Sequence, residues 1–263
     1  MSKHSRVWNQ SIFEKYLREG RGRGDGPGYM PWIRIQDFAS NGVVSRVKGR
    51  KTGRIHHLMS NNELAYFYLL DWSDSVLDIR EQYPLLDLDC AIKAATQAGI
   101  KYPTDNVSGY PYVMTCDFLI TTAQGLKART IKLSSELTNT RTVEKLEIER
   151  RYWAANGVDW KLVTENEISY RKAKNIEWIY SAQDFEALQS ESDAFIKAKD
   201  LTRRLFNSFE FSIVEIAQIV EDKFHFGQGI GLLLFKVLVL NGEIYVDLNK
   251  RLNLNAKKVA VTA

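Results

Sequence analysis

Residues 115–136 read TCDFLITTAQGLKARTIKLSSE, and the fold turns on how they are taken. They divide into two strands, about 111–121 and 126–133, joined by a turn at Gly125. The first is an apolar run that carries one acid, Asp117. The second carries Lys132 between Ile131 and Leu133. Charges on strands apolar enough to be buried are costly unless they are paired or used. By strand alternation Thr130 and Lys132 share one sheet face, and Asp117 joins them if the strands pair in register.

The flanking segments build a mixed sheet around this pair. Residues 75–85, SVLDIREQYPL, read as a strand closed by Pro84, and DWKLVT at 159–164 as another. A helix is expected from Ser60 to about Leu70, because Ser60-Asn61-Asn62-Glu63 fits a capping box. A short helix fits 88–98. A strong one fits 141–156, stopped by Gly157. Residues 7–19 have Trp8, Ile12, Tyr16 and Leu17 at helical spacing. GRGRGDGPG (20–28) reads as a flexible basic loop, and 29–59 as short β-like pieces, PWIRIQDF among them.

After about residue 168 the pattern changes. A polar stretch, DFEALQSESD (184–193), precedes helices near 193–207, 212–223 and 228–240. LNGEIYVDL then reads as an Asn-Gly turn into a strand, and the tail after Leu254 as loose. The expectation is an α/β domain over 1–168 and a smaller winged-helix-like domain over 169–263.

The net charge of +4 conceals an asymmetry. Residues 1–60 hold 12 Lys and Arg against 4 Asp and Glu, so they carry +8 and the rest −4. Arg46, Lys48, Arg50, Lys51 and Arg54 form the densest run, which suits a nucleic-acid backbone. Residues 169–263 hold 13 basic and 12 acidic side chains. Their candidate recognition helix, GQGIGLLLFKVLVLNG, offers only Gln228 and Lys236 to a groove. That favours docking to a protein over reading DNA. No run of 18 apolar residues exists, so no membrane span is expected. Cys90 and Cys116 form no framework and suit a reducing cytoplasm.

Phosphodiester hydrolysis needs an activated water and neutralised charge at phosphorus, which divalent metals supply. Mg²⁺ favours oxygen donors, such as a carboxylate, a carbonyl and water. Asp117, the Ile131 carbonyl and Lys132 fit that need. Glu63 has two local roles, helix cap or site carboxylate. Glu149, which borders the packed stripe of Val143, Leu146 and Trp153, is either a site acid or a salt-bridge partner of Lys145 or Arg150. The adjacent His56 and His57 point to opposite strand faces and suit structural or backbone-contact roles over a metal pair. Cys116, Trp153 and Trp178 read as core or interface residues.

KTGRIHHLMSNNELAYF, SVLDIREQYPL, VMTCDFL, EKLEIERRYW and NIEWIYS together resemble the TnsA family, the endonuclease subunits of heteromeric bacterial transposases. The likeness runs from about residue 18 to 180. It implies a restriction-endonuclease-like catalytic domain whose active-site pattern falls on Glu63, Asp117, Thr130-Ile131-Lys132 and Glu149. Thr130 departs from the Gln or Glu usual there. The resemblance implies two Mg²⁺ ions, with Mn²⁺ able to substitute, held by Glu63, Asp117, Thr130 and Ile131. It implies cleavage of the 5′ strand at transposon ends. The implied partners are an integrase-type transposase (TnsB-like) that handles the 3′ ends, and an AAA+ ATPase regulator (TnsC-like) docked through the C-terminal region. The alternatives are a nuclease-fold adaptor that no longer cuts, which Thr130 favours, and a self-sufficient restriction or repair nuclease.

Overall fold

The computed structural model describes residues 7–37, 43–188 and 193–257. The chain divides into two compact units, one ending at Ile168 and the other beginning at Ser169. In the first unit, α1 (Gln10–Arg18) is capped by the Asn9 side chain. A two-stranded antiparallel sheet follows, β1 (Ser45–Lys48) with β2 (Ile55–Leu58). Then come α2 (Asn61–Trp72), β3 (Val76–Pro84), α3 (Leu88–Gln97), β4 (Thr115–Thr122), β5 (Gly125–Ile131), α4 (Thr140–Ala155) and β6 (Asp159–Val163).

The main sheet has the order β3-β4-β5-β6. Its first three strands are antiparallel, and β6 runs parallel to β5. Parallel pairing of β5 and β6 requires a crossover, and α4 supplies it. On one side Ile148, Tyr152 and Trp153 of α4 meet Leu119, Ala128 and the alanines of α3 in a single core. On α2, Tyr66 meets Phe118. This is the α/β nuclease-like layering expected: a mixed sheet flanked by helices.

Two N-terminal expectations change. The GRGRGDGPG loop is basic but Arg21 is buried, paired with Asp37 and hydrogen-bonded to Glu19 at 2.8 Å. Phe38 of PWIRIQDF lies outside the described residues, and residues 31–37 form turns and a short 3₁₀ segment, not strand. Its backbone is satisfied singly: the Trp32 N–H donates to the Gln82 carbonyl and the Trp32 carbonyl accepts from Arg21. Trp32, with Tyr29 just before the segment, is buried.

Arg54 is internal. Its guanidinium bonds both oxygens of Glu81 and the Ile79 carbonyl. His56 joins through Nδ1, 2.8 Å from Glu81, and through Nε2, 2.7 Å from the Thr52 hydroxyl. Burial alone would raise the Glu81 pKa, but hydrogen bonds from Arg54 and then His56 hold it at about 2. Because the folded value is depressed, its stabilising contribution is complete above about pH 4.5 and is lost as pH falls toward 2. Arg54→Ala strands a buried carboxylate, and urea unfolding is expected to show a loss of about 3–5 kcal/mol. A loss below about 1 kcal/mol would mean that the pair is solvated.

The second unit is helical: α5 (Tyr170–Tyr180), α6 (Gln183–Leu188), α7 (Asp193–Ser208), α8 (Ile213–Phe224) and α9 (Ile230–Leu240). Of these, α5 has no counterpart among the helices read from sequence. The centre is α9, whose residues 234–240 are all buried. At Gly231 a Cβ would lie 2.3 Å from the Ala217 carbonyl oxygen, so α8 and α9 cross backbone to backbone. The strand expected in LNGEIYVDL does not form a ladder. Buried Ile244 and Leu248 are four residues apart, and Asn175 takes the carbonyls of Leu248 and Lys250. Among the described residues this unit's β pairing is one isolated bridge, Ser212 with Lys257. Part of the polar stretch (189–192) and of the tail (258–263) lie outside the described residues.

Candidate active site

Side chains from six elements, α2, β3, β4, β5, α4 and β6, meet at one end of the β3-β4-β5 ladder. Ser60 caps α2 by accepting the Glu63 N–H at 3.1 Å, and the Glu63 carboxylate returns to the Met59 N–H at 2.9 Å. The capping role is therefore real. The same carboxylate also accepts from Gln82 Nε2 on β3 at 3.2 Å, so it faces inward as well. Both local roles of Glu63 meet in one buried side chain.

On β4, Asp117 Oδ2 accepts the Ile131 N–H at 2.6 Å. Lys132, just past β5, folds its Nζ back to the Ile131 carbonyl at 3.0 Å and stands 3.8 Å from Asp117 Oδ2. An ammonium thus rests against two oxygens, one carboxylate and one backbone carbonyl. These are the donors expected to hold a cation.

Of the two roles open to Glu149 on α4, the salt bridge is not the one formed. Its Oε1 accepts from the Thr130 hydroxyl and from Trp160 Nε1, the latter at 3.1 Å. The Thr130 oxygen lies 3.3 Å from the same indole N–H. The Thr130 hydroxyl therefore serves Glu149 and is not carried forward as a metal ligand. Glu149 pairs with neither Lys145 nor Arg150, since Arg150 is bonded to Glu147. Trp160 was not visible as a site residue in the sequence. The parallel register of β6 sets it opposite Ala128, and nothing local to DWKLVT signals that.

Burial works against the charged forms of the three carboxylates. Burial, then the Asp117 charge, pushes Glu63 up to about 8. Burial raises Glu149 to about 8 against the Thr130 hydrogen bond. Burial also raises Asp117, outweighing the opposing pull of Lys132. The Asp117 charge raises Lys132 despite its burial. Three carboxylates and one ammonium would leave −2 in a poorly solvated place if all were ionised, a charge that a divalent ion would cancel. Among the described residues no three His, Cys, Asp or Glu side chains are arranged to hold a metal by themselves. The donors here are instead a carboxylate and a carbonyl, with room in the chemistry for water and phosphate oxygens. That mixed oxygen set fits a hard divalent ion.

Gln82 was also missed. It is buried, and its φ of +49° lies in the left-handed region inside a strand. Such a conformation in a non-glycine residue costs on the order of 1 kcal/mol and concentrates at functional sites.

The basic run divides. Arg46 and Lys48 alternate outward on β1, and Arg50 is exposed at the following turn. Asp71 takes the backbone N–H groups of Arg50 and Lys51, which fixes that turn. Lys51 is half-buried and Arg54 belongs to the Glu81 network, so Arg54 is withdrawn as a phosphate contact. His56 is a buried structural residue, and half-buried His57 Nδ1 accepts from the Ile35 N–H. In the second unit Lys236 is buried. Its Nζ donates to the Ser181 hydroxyl at 2.7 Å and lies over the Trp178 ring. It cannot read a groove. Among the described residues no helix is long and apolar enough to cross a membrane.

A family model described as TnsA-like endonuclease N terminal matches residues 73–165. That span includes Asp117, Thr130, Lys132 and Glu149, and Glu63 precedes it. A second model, TnsA endonuclease C terminal, matches residues 167–248. The chain is 35% identical over 258 residues to the transposon Tn7 transposition protein TnsA of Escherichia coli, covering 97% of this chain and 92% of that protein.

Proposed function

The chain belongs to the TnsA family of transposase endonucleases, and we propose that it hydrolyses the 5′ strand at transposon ends with Mg²⁺, or Mn²⁺, as cofactor. The observation that carries the metal is the placement of Lys132 Nζ against the Ile131 carbonyl and Asp117. A cation already favours that spot. Asp117, the Ile131 carbonyl and Glu63 are the groups that would hold the ions. When bound, a divalent ion there offsets charge on the scissile phosphate and makes the attacking water more acidic.

The remaining steps belong to the chain. Lys132, released from the Ile131 carbonyl, donates to the attacking water or a phosphate oxygen and stabilises the charge that builds at phosphorus. Glu149 fixes Thr130 on the β5 strand, which sets the direction of the Lys132 stem. Arg46, Lys48, Arg50 and Lys51 lie on the segment leading into Glu63, and we assign them to backbone phosphates. An integrase-type transposase would process the 3′ ends. An AAA+ ATPase would dock on the C-terminal unit, whose near-neutral charge and buried α9 disfavour DNA reading.

The second reading is a DNA-binding adaptor that does not cut. The Thr130–Glu149 bond favours it, since that bond removes one expected ligand. A nicking assay with Mg²⁺ or Mn²⁺, run with and without the partner transposase, separates the readings. Cleavage of the 5′ strand only in the assembled complex is expected. Cutting by the isolated chain would indicate a self-sufficient nuclease, and no cleavage under any condition would leave the adaptor.

Phosphate binding has its own measurement. Replacing Arg46, Lys48 and Arg50 together with Ala is expected to lower the slope of log binding constant against log salt. The drop is about 0.9 for each phosphate no longer neutralised, or about 2.7 for all three side chains. An unchanged slope would remove the basic run from the interface.

A further inference from the structure

We infer that Gln82 is a positioning residue for the proposed cation site, its carboxamide holding the Glu63 and Asp117 carboxylates in one arrangement. This rests on the metal-dependent reading of that site. The β3-β4 ladder pairs Glu81 with Phe118 and Tyr83 with Cys116, which leaves Gln82 facing Asp117 across the strands. At that residue the backbone departs from strand geometry, with φ +49°, and its carbonyl turns to the Trp32 N–H. β3 continues on both sides, so the departure is local.

The side chain sits between the two acids. Nε2 donates to Glu63 Oε2 at 3.2 Å, and Oε1 accepts from the Thr115 hydroxyl at 3.4 Å. Across the ladder the carboxamide faces Asp117 and favours its charged form. A carboxamide has two N–H groups, enough for both carboxylates, and the Thr115 contact fixes which way it is flipped. A glutamate here would repel both acids, and an aliphatic residue would remove the one side chain placed to reach both of them. Gln82 touches neither substrate nor the reacting atoms in this scheme. It acts through the acids that hold the ion, as partners of metal ligands do elsewhere.

Two variants of the full-length chain separate positioning from simple structural support. Gln82→Met keeps the volume and the left-handed backbone but removes the donors. Gln82→Gly removes the donors and relieves the backbone. The readouts are Mn²⁺ affinity by calorimetry on the isolated chain, with the metal alone, and the melting temperature without metal. Wild type is expected to bind Mn²⁺, and Asp117→Ala to lose that binding. Both Gln82 variants are expected to bind at least about tenfold more weakly, with Gln82→Gly melting within a few degrees of wild type. Wild-type affinity in both variants would overturn the inference and leave the metal reading intact. Mn²⁺ binding that is absent from wild type, or unaffected by Asp117→Ala, would overturn both. Weak binding in Gln82→Met with full affinity in Gln82→Gly would also overturn it, because backbone strain and not the carboxamide would then set the site.

Discussion

Asp117→Asn is expected to lower 5′-strand cleavage by the assembled complex by a factor of about a thousand or more, which corresponds to roughly 4 kcal/mol of transition-state stabilisation. The substitution preserves size, and the new amide oxygen can still accept the Ile131 N–H that Asp117 holds at 2.6 Å. What it removes is charge. Burial already works against that charge in the folded chain. Metal-free stability therefore holds within a few degrees of wild type or rises, the usual relation between a strained site and its neutral replacement. Strand-resolved cleavage and thermal melts on the same preparation check both halves. Cleavage within tenfold of wild type would remove Asp117 from the site.

Lys132→Ala is expected to lower cleavage by about 10²–10³-fold, the range for loss of one preorganised donor at a reacting centre. Its effect on metal binding should run the other way. In the metal-free chain the ammonium competes for the Ile131 carbonyl and Asp117. Removing it frees those oxygens, so Mn²⁺ binds as tightly as in wild type or more tightly while turnover falls. Lys132→Arg is expected to leave activity low, because a planar guanidinium does not replace a compact ammonium folded back onto its own strand. Saturation curves in Mn²⁺ at fixed DNA separate the two effects. A rise in the metal requirement with unchanged maximal rate would make Lys132 a metal-site support and not a donor to phosphate or water.

The sheet was legible because its strands carry local signals: an apolar run, a Gly125 turn and Pro84 as a stop. The capping box at Ser60 and the Gly157 stop gave α2 and α4 within a residue or two. Of the site, Glu63, Asp117, Lys132 and Glu149 are indeed brought near one another. Their pairings were not legible, because they depend on register between strands distant in sequence. Trp160 reaches Glu149 only through the parallel β5-β6 pairing. Gln82 carries no sequence mark of its left-handed backbone, since Gln is not a residue that usually signals one. Arg54 looked like its basic neighbours, and only the fold reveals Glu81 waiting for it on β3. The wing-like strand failed for the opposite reason. Residues 244–248 alternate in sequence, but among the described residues no second strand lies alongside to form a ladder.

The central claim is that Asp117 and the Ile131 carbonyl form a divalent-cation site now touched by Lys132. Anomalous scattering from crystals soaked in Mn²⁺ tests it most directly. The account predicts a peak coordinated by the Asp117 carboxylate and the Ile131 carbonyl, with Lys132 Nζ moved off that carbonyl. A well-diffracting crystal at saturating Mn²⁺ with no peak there, and Lys132 still on the carbonyl, would contradict it.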